Sequence, residues 1–206
     1  MITEKRILMV SKVLSMLLTP FYLPLFGLIL LFMFSYLSLL PTGYKWQVGV
    51  LVYIFTVLAP TLSIRLYRRS QGWTRIEMLR RERRIIPYVI TILFYFVCFH
   101  LLRSLHVPHF IGTVVIAALF IQIVCALINV WWKISTHTAA VGAVGGGLIG
   151  FAFHLHFDPT LWLGVVFLLG GLVGSSRMIL KQHSLAQVVV GFFTGMLGSF
   201  IIVMIL

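Results

Sequence analysis

Seven long apolar runs, separated by polar or basic stretches, dominate the chain: 14–40, 47–64, 85–102, 110–131, 138–153, 160–174 and 185–206. Within them apolar residues neither alternate nor keep to one helical face, which suits neither a half-buried strand nor the surface helix of a soluble domain. Helices surrounded by lipid have this pattern, because hydrocarbon offers backbone N–H and C=O groups no partner and a helix bonds them internally. A run of about 20 apolar residues crosses a bilayer core. The pattern predicts an all-α, polytopic transmembrane bundle of about seven helices, forming a single membrane domain over 1–206.

The fifth and sixth runs are short and rich in glycine, with Gly142, Gly145, Gly146, Gly147 and Gly150 in one and Gly164, Gly170, Gly171 and Gly174 in the other. Small residues let helix backbones approach closely, so both helices are expected at the bundle centre. Lys5, Arg6 and Lys12 precede the first run, as in a signal peptide. Pro20 and Pro24 interrupt that run, however, and no small-residue cleavage site follows, so it is expected to remain as a membrane span.

Composition sharpens this picture. With 61% hydrophobic and 10% charged residues and a mean hydropathy of +1.09, the chain lacks the polar surface of a water-soluble globule. Cys98 and Cys125 both fall inside apolar runs and form neither a disulfide framework nor a zinc spacing. The net charge of +12 sits between the runs instead of along one face, which points to anionic lipid headgroups and away from nucleic acid. If all seven runs cross, one membrane side receives the N-terminus, a basic surface segment at 65–84, and the connections at 133–137 and 175–184. Of the 16 Lys and Arg residues, only Lys45 and Arg103 fall opposite. By the positive-inside tendency the basic side is cytoplasmic.

That side carries three clusters with chemical potential. In Ser176-Arg177-Met178-Ile179-Leu180-Lys181-Gln182-His183-Ser184-Leu185-Ala186-Gln187, the four-residue spacing of His183 and Gln187 stacks them on one helical face. The Gln187 carbonyl then accepts from one imidazole nitrogen and leaves the other as nucleophile or ligand. Lys133-Ile134-Ser135-Thr136-His137 brings a cation, a hydroxyl and an imidazole into one turn, with His137 suited to general acid work and Ser135 to an anion site. In the third cluster Arg81 and Arg84 share a face ahead of Pro87 and are suited to gripping phosphate with paired donors. Singly, each cluster also suits an interfacial anchor, with His183 capping a helix or Lys133 snorkelling beside Trp131 and Trp132. Together, two arginine sites, a serine and two histidines describe phosphoryl transfer. The carboxylates Glu4, Glu77, Glu82 and Asp158 are too dispersed for a magnesium site, so no metal or other cofactor is expected. His100, His106, His109, His154 and His156 read as interfacial or buried side chains.

These residues resemble the type 2 phosphatidic acid phosphatase family of membrane lipid phosphatases. Its third motif, Ser-Arg-x5-His-x3-Asp, matches Ser176, Arg177 and His183 position by position, and Gln187 stands at the aspartate. Its second motif, Pro-Ser-Gly-His, is similar to Ile134-Ser135-Thr136-His137, and its first, Lys-x6-Arg-Pro, is matched loosely before Pro87, where Ile86 occupies the arginine position. The resemblance covers 80–206. It implies a six-helix phosphatase-like core, with His183 as the nucleophile that forms a phosphohistidine and His137 as general acid. Ser135 and Arg177 are then phosphate ligands, with Lys133 and Ser176 beside them and Arg81 and Arg84 standing in for the first motif. The implied substrate is a phosphomonoester or pyrophosphate of a phospholipid, a polyprenyl carrier or lipid A, in a bacterial inner membrane. Losing the aspartate lowers the basicity of the histidine, which opens a second expectation: a noncatalytic protein that binds or moves phospholipids. The family analogy places the site toward the periplasm, against the charge count. A reporter fused at Arg75 is expected to be cytoplasmic; periplasmic labelling there reverses the topology.

Overall fold

The computed structural model describes residues 2–72, 83 and 85–206. The described residues form an all-α bundle with seven helical stretches long and apolar enough to cross a membrane. In chain order the helices are α1 (Ile2–Leu17), α2 (Leu23–Phe34), α3 (Thr42–Tyr53), α4 (Ala59–Ser70), α5 (Ile85–Ser104), α6 (His109–Trp131), α7 (Thr136–Leu155), α8 (Thr160–Ile179) and α9 (Leu185–Ile205).

The first two spanning stretches are broken at prolines. Pro20 forces Thr19 into an extended conformation, and a 3₁₀ turn over Pro20–Tyr22 joins α1 to α2. Pro60 has no N–H for the carbonyl four residues earlier, at Thr56, and the chain widens into a π turn over Ile54–Leu58 between α3 and α4.

Most helices outrun the apolar runs, because their polar ends reach headgroup depth. Two consequences correct the boundaries expected from hydropathy. α4 continues to Ser70, so Arg65, Arg68 and Arg69 are helical. α8 continues to Ile179, so Ser176 and Arg177 lie in its last turns and not in a surface connection. Arg81 and Arg84 lie outside the described residues.

Of the two glycine-rich helices, only α7 is central. Within its most apolar window 61% of residues are buried, against 33% for α8. Its intimate partner is α9, with α6, α8 and α2 around it, while α1 packs on α8. The reason lies in which glycines meet backbone. A Cβ at Gly142 or Gly146 would strike the carbonyls of Phe192 and Met196, and one at Gly195 the carbonyl of Ala139. At Gly191 it would fall 2.6 Å from the Ser135 carbonyl oxygen. On α8, by contrast, Gly164 and Gly171 face nothing within 4 Å, and only Gly170 and Gly174 make room for Phe192 and Val188 of α9. Contacts advance together along both partners, from Ser135 with Gly191 through Gly146 with Met196 to Gly150 with Val203. α7 and α9 are therefore parallel.

At the opposite end Asp158 accepts from the Thr160 hydroxyl (2.6 Å) and amide (2.9 Å), which hold its carboxyl below the usual carboxylate range.

Two alanine substitutions test the seam. Gly195→Ala is expected to destabilise the protein by ~1–3 kcal/mol through overpacking. Gly164→Ala, in open space, is expected to stabilise α8 by about 0.5–1 kcal/mol. Unfolding in mixed micelles reads both, and equal effects would contradict the seam.

Candidate functional site

Because α7 and α9 are parallel and in contact, their first turns lie side by side. Each starts behind a serine: the Ser135 hydroxyl accepts from the Thr138 amide and the Ser184 hydroxyl from the Gln187 amide, both at 3.4 Å. Two further bonds stitch the ends together. The Ser135 amide donates to the Gln187 carbonyl (3.3 Å), and the Thr138 hydroxyl donates to the Val188 carbonyl (2.9 Å). Ser135 and Thr138 are fully buried in this layer. The first-turn amides of a helix lack intrahelical acceptors and carry the positive end of its dipole, so two parallel helices add their positive ends at one place. That is an arrangement suited to an anion.

His183 is buried just ahead of α9, with Nδ1 3.1 Å from Gln187 Oε1. The same oxygen accepts from the Ser184 amide at 3.3 Å. A backbone N–H only donates, so the Gln187 amide must turn its oxygen toward Ser184. That oxygen in turn only accepts, so Nδ1 of His183 carries a proton and the lone pair of the neutral ring sits on Nε2. The spacing of His183 and Gln187 anticipates this bond. The sequence reading does not anticipate that Gln187 also completes a capping box with Ser184. Nor does it anticipate a neutral oxygen shared by two donors.

Arg177, in the last turn of α8, is buried and donates from Nη1 to Ser15 Oγ on α1 at 2.7 Å. Its backbone carbonyl accepts from the Gln182 amide, which closes the connection that carries His183. Ser176 is buried and donates its hydroxyl to the Leu172 carbonyl of its own helix (2.8 Å). Lys133 and His137 are half-buried at the head of α7, on either side of Ser135.

The structure thus joins Ser135, His183 and Gln187 through hydrogen bonds at the paired helix starts. Arg177 and Ser176 end α8, which leads into the same connection, and Lys133 and His137 flank Ser135. Arg81 and Arg84 lie outside the described residues. Among the described residues no group of three or more His, Cys, Asp or Glu side chains is placed to hold a metal ion. Two contributors escape the motif reading, Thr138 and Ser15. The signal for the second is present: Ser11 and Ser15, four apart with Lys12 between them, are both buried and share one helical face.

Comparison with known proteins finds no matching family model, curated protein or solved structure.

The tautomer is directly measurable. In ¹⁵N-labelled protein His183 is expected as the Nδ1-protonated form, and Gln187→Ala is expected to give mixed tautomers. An Nε2-protonated His183 in the unsubstituted protein would overturn the assignment.

Proposed function

We propose that the protein is a membrane lipid-phosphate phosphatase that hydrolyses the phosphomonoester or pyrophosphate of a phospholipid, a polyprenyl carrier or lipid A. The observation that carries this reading is the coincidence at one layer of two parallel helix starts and an imidazole whose lone pair is fixed on Nε2 by the Gln187 bond. Buried Arg177 supplies a permanent cation to the same end of the bundle.

In this reading the lipid phosphate sits against the first turns of α7 and α9, with its charge balanced by their dipoles, Arg177 and Lys133. The His183 Nε2 lone pair attacks phosphorus as the bond from phosphorus to the lipid oxygen breaks. His137 gives that oxygen a proton, and the lipid leaves as an alcohol from a monoester or as a monophosphate from a pyrophosphate. Water then attacks the phosphohistidine, His137 takes its proton, and the P–N bond breaks to release inorganic phosphate. The balance is one lipid phosphate and one water in, one dephosphorylated lipid and one phosphate out.

A second reading, a phospholipid-binding or lipid-translocating protein, is favoured by one observation. Gln187 is neutral and its oxygen is divided between His183 and Ser184, so it does not stabilise an imidazolium as a carboxylate does.

Phosphate release from a panel of phosphorylated lipids in detergent separates the two. Release abolished by His183→Ala, lowered ~10²–10⁴-fold by His137→Ala and raised by Gln187→Asp is expected of the phosphatase. Folded protein that releases nothing, yet binds phosphorylated lipid less well as Arg177→Ala, supports the second reading.

A further inference from the structure

Beyond the polar layer, a partly open cavity of about 60 Å³ lies between α2, α6, α7 and α9. Its walls are almost entirely carbon, from residues such as Leu30, Ala118, Ala143, Gly147 and Phe151. Two hydroxyls reach it, from Ser35 and Ser199. That of Ser35 is engaged, donating to the Leu31 carbonyl at 2.6 Å and accepting from the Leu37 amide at 3.1 Å. A water needs two to four polar partners, and this lining does not supply them. Around a bundle that crosses a bilayer, the abundant apolar occupant is hydrocarbon.

The position of the cavity narrows the occupant further. At ~1.5 Å per residue, Ala143 lies about 12 Å and Phe151 about 24 Å beyond Ser135 along α7. Half of a hydrocarbon core is about 15 Å, so the cavity runs from near the bilayer midplane into the half opposite the Ser135 layer, and the tip of a lipid chain anchored at that layer meets its near end. One water-sized sphere takes ~10–15 Å³, so a space of about 60 Å³ has room for roughly four to six groups of that size. That is the end of a chain and not its whole length.

We propose that this cavity is a binding site for the terminal carbons of a lipid hydrocarbon chain. α7 serves both ends of the ligand: its first turn lies at the polar layer and its middle turns line the cavity. The small side chains Ala118, Ala143 and Gly147 keep the space open, and their size sets how much chain it takes. The occupancy stands on the cavity alone; that the chain belongs to a lipid anchored by its phosphate rests on the phosphatase reading.

The test is photo-crosslinking in nanodiscs with phosphatidic acid and phosphatidylcholine, each bearing a diazirine either at the chain end or near its middle. Expected is labelling of Leu30, Ala118 or Phe151 by the chain-end probe, weakened on the order of tenfold by Ala118→Phe, since filling a void of this size changes binding by that factor. Should Ala118→Phe fail to fold, Leu30→Ala enlarges the space and is expected to move the best-labelling chain to a greater length. Stronger labelling by phosphatidic acid assigns the chain to a phosphate-anchored lipid. Equal labelling by both lipids supports the cavity site and counts against the phosphate anchor alone. Chain-end label confined to outward residues such as Phe26 and Ile29, or unchanged by both substitutions, overturns the proposal.

Discussion

Inside a bilayer the hydrophobic effect does little to hold helices together, because lipid chains are as apolar as the side chains they would replace. What α7 and α9 gain from each other is close backbone approach, available only where no Cβ intervenes. Gly142 and Gly146 on one helix and Gly191 and Gly195 on the other provide it, each pressed against a partner carbonyl. The rest of the bundle is arranged around this pair. α8 fits Phe192 and Val188 of α9 over Gly170 and Gly174, α6 touches both members, and α1 reaches the bundle through α8.

The same contact creates the polar layer. A parallel pair of helices in register has its two starts together, and here the Ser135 amide meets the Gln187 carbonyl while Thr138 meets Val188. Without close approach neither bond forms, and the two positive helix ends separate. His183 inherits its orientation from this arrangement through Gln187, which is held at the third position of the capping box of α9. A neutral amide fixes the tautomer but adds no charge. The site therefore holds an imidazole whose tautomer is fixed by a neutral partner.

Much of this was legible in the chain. Uninterrupted apolar runs predict the spans, because lipid-facing and interior positions are both apolar and no amphipathic period is needed. The bond between His183 and Gln187 follows from a four-residue spacing. Three features were not legible for physical reasons. Hydropathy marks where polarity begins and not where the helix ends, so Ser176 and Arg177 read as a connection although α8 carries them. Glycine content marks α7 and α8 alike, but whether a glycine meets backbone or open space depends on which helix lies opposite, and that is a property of the packing. The bond from Arg177 to Ser15 joins residues at opposite ends of the chain, and no local pattern announces such a pair.

The most direct measurement of the central claim, that His183 is the nucleophile of a phosphoryl-transfer site, is mass-spectrometric mapping of protein quenched under alkaline conditions during turnover of a phosphorylated lipid. A phosphoryl group on His183, absent from His183→Ala, is the result predicted. Release of phosphate with no phosphohistidine in the wild type, or at an undiminished rate in His183→Ala, would contradict it.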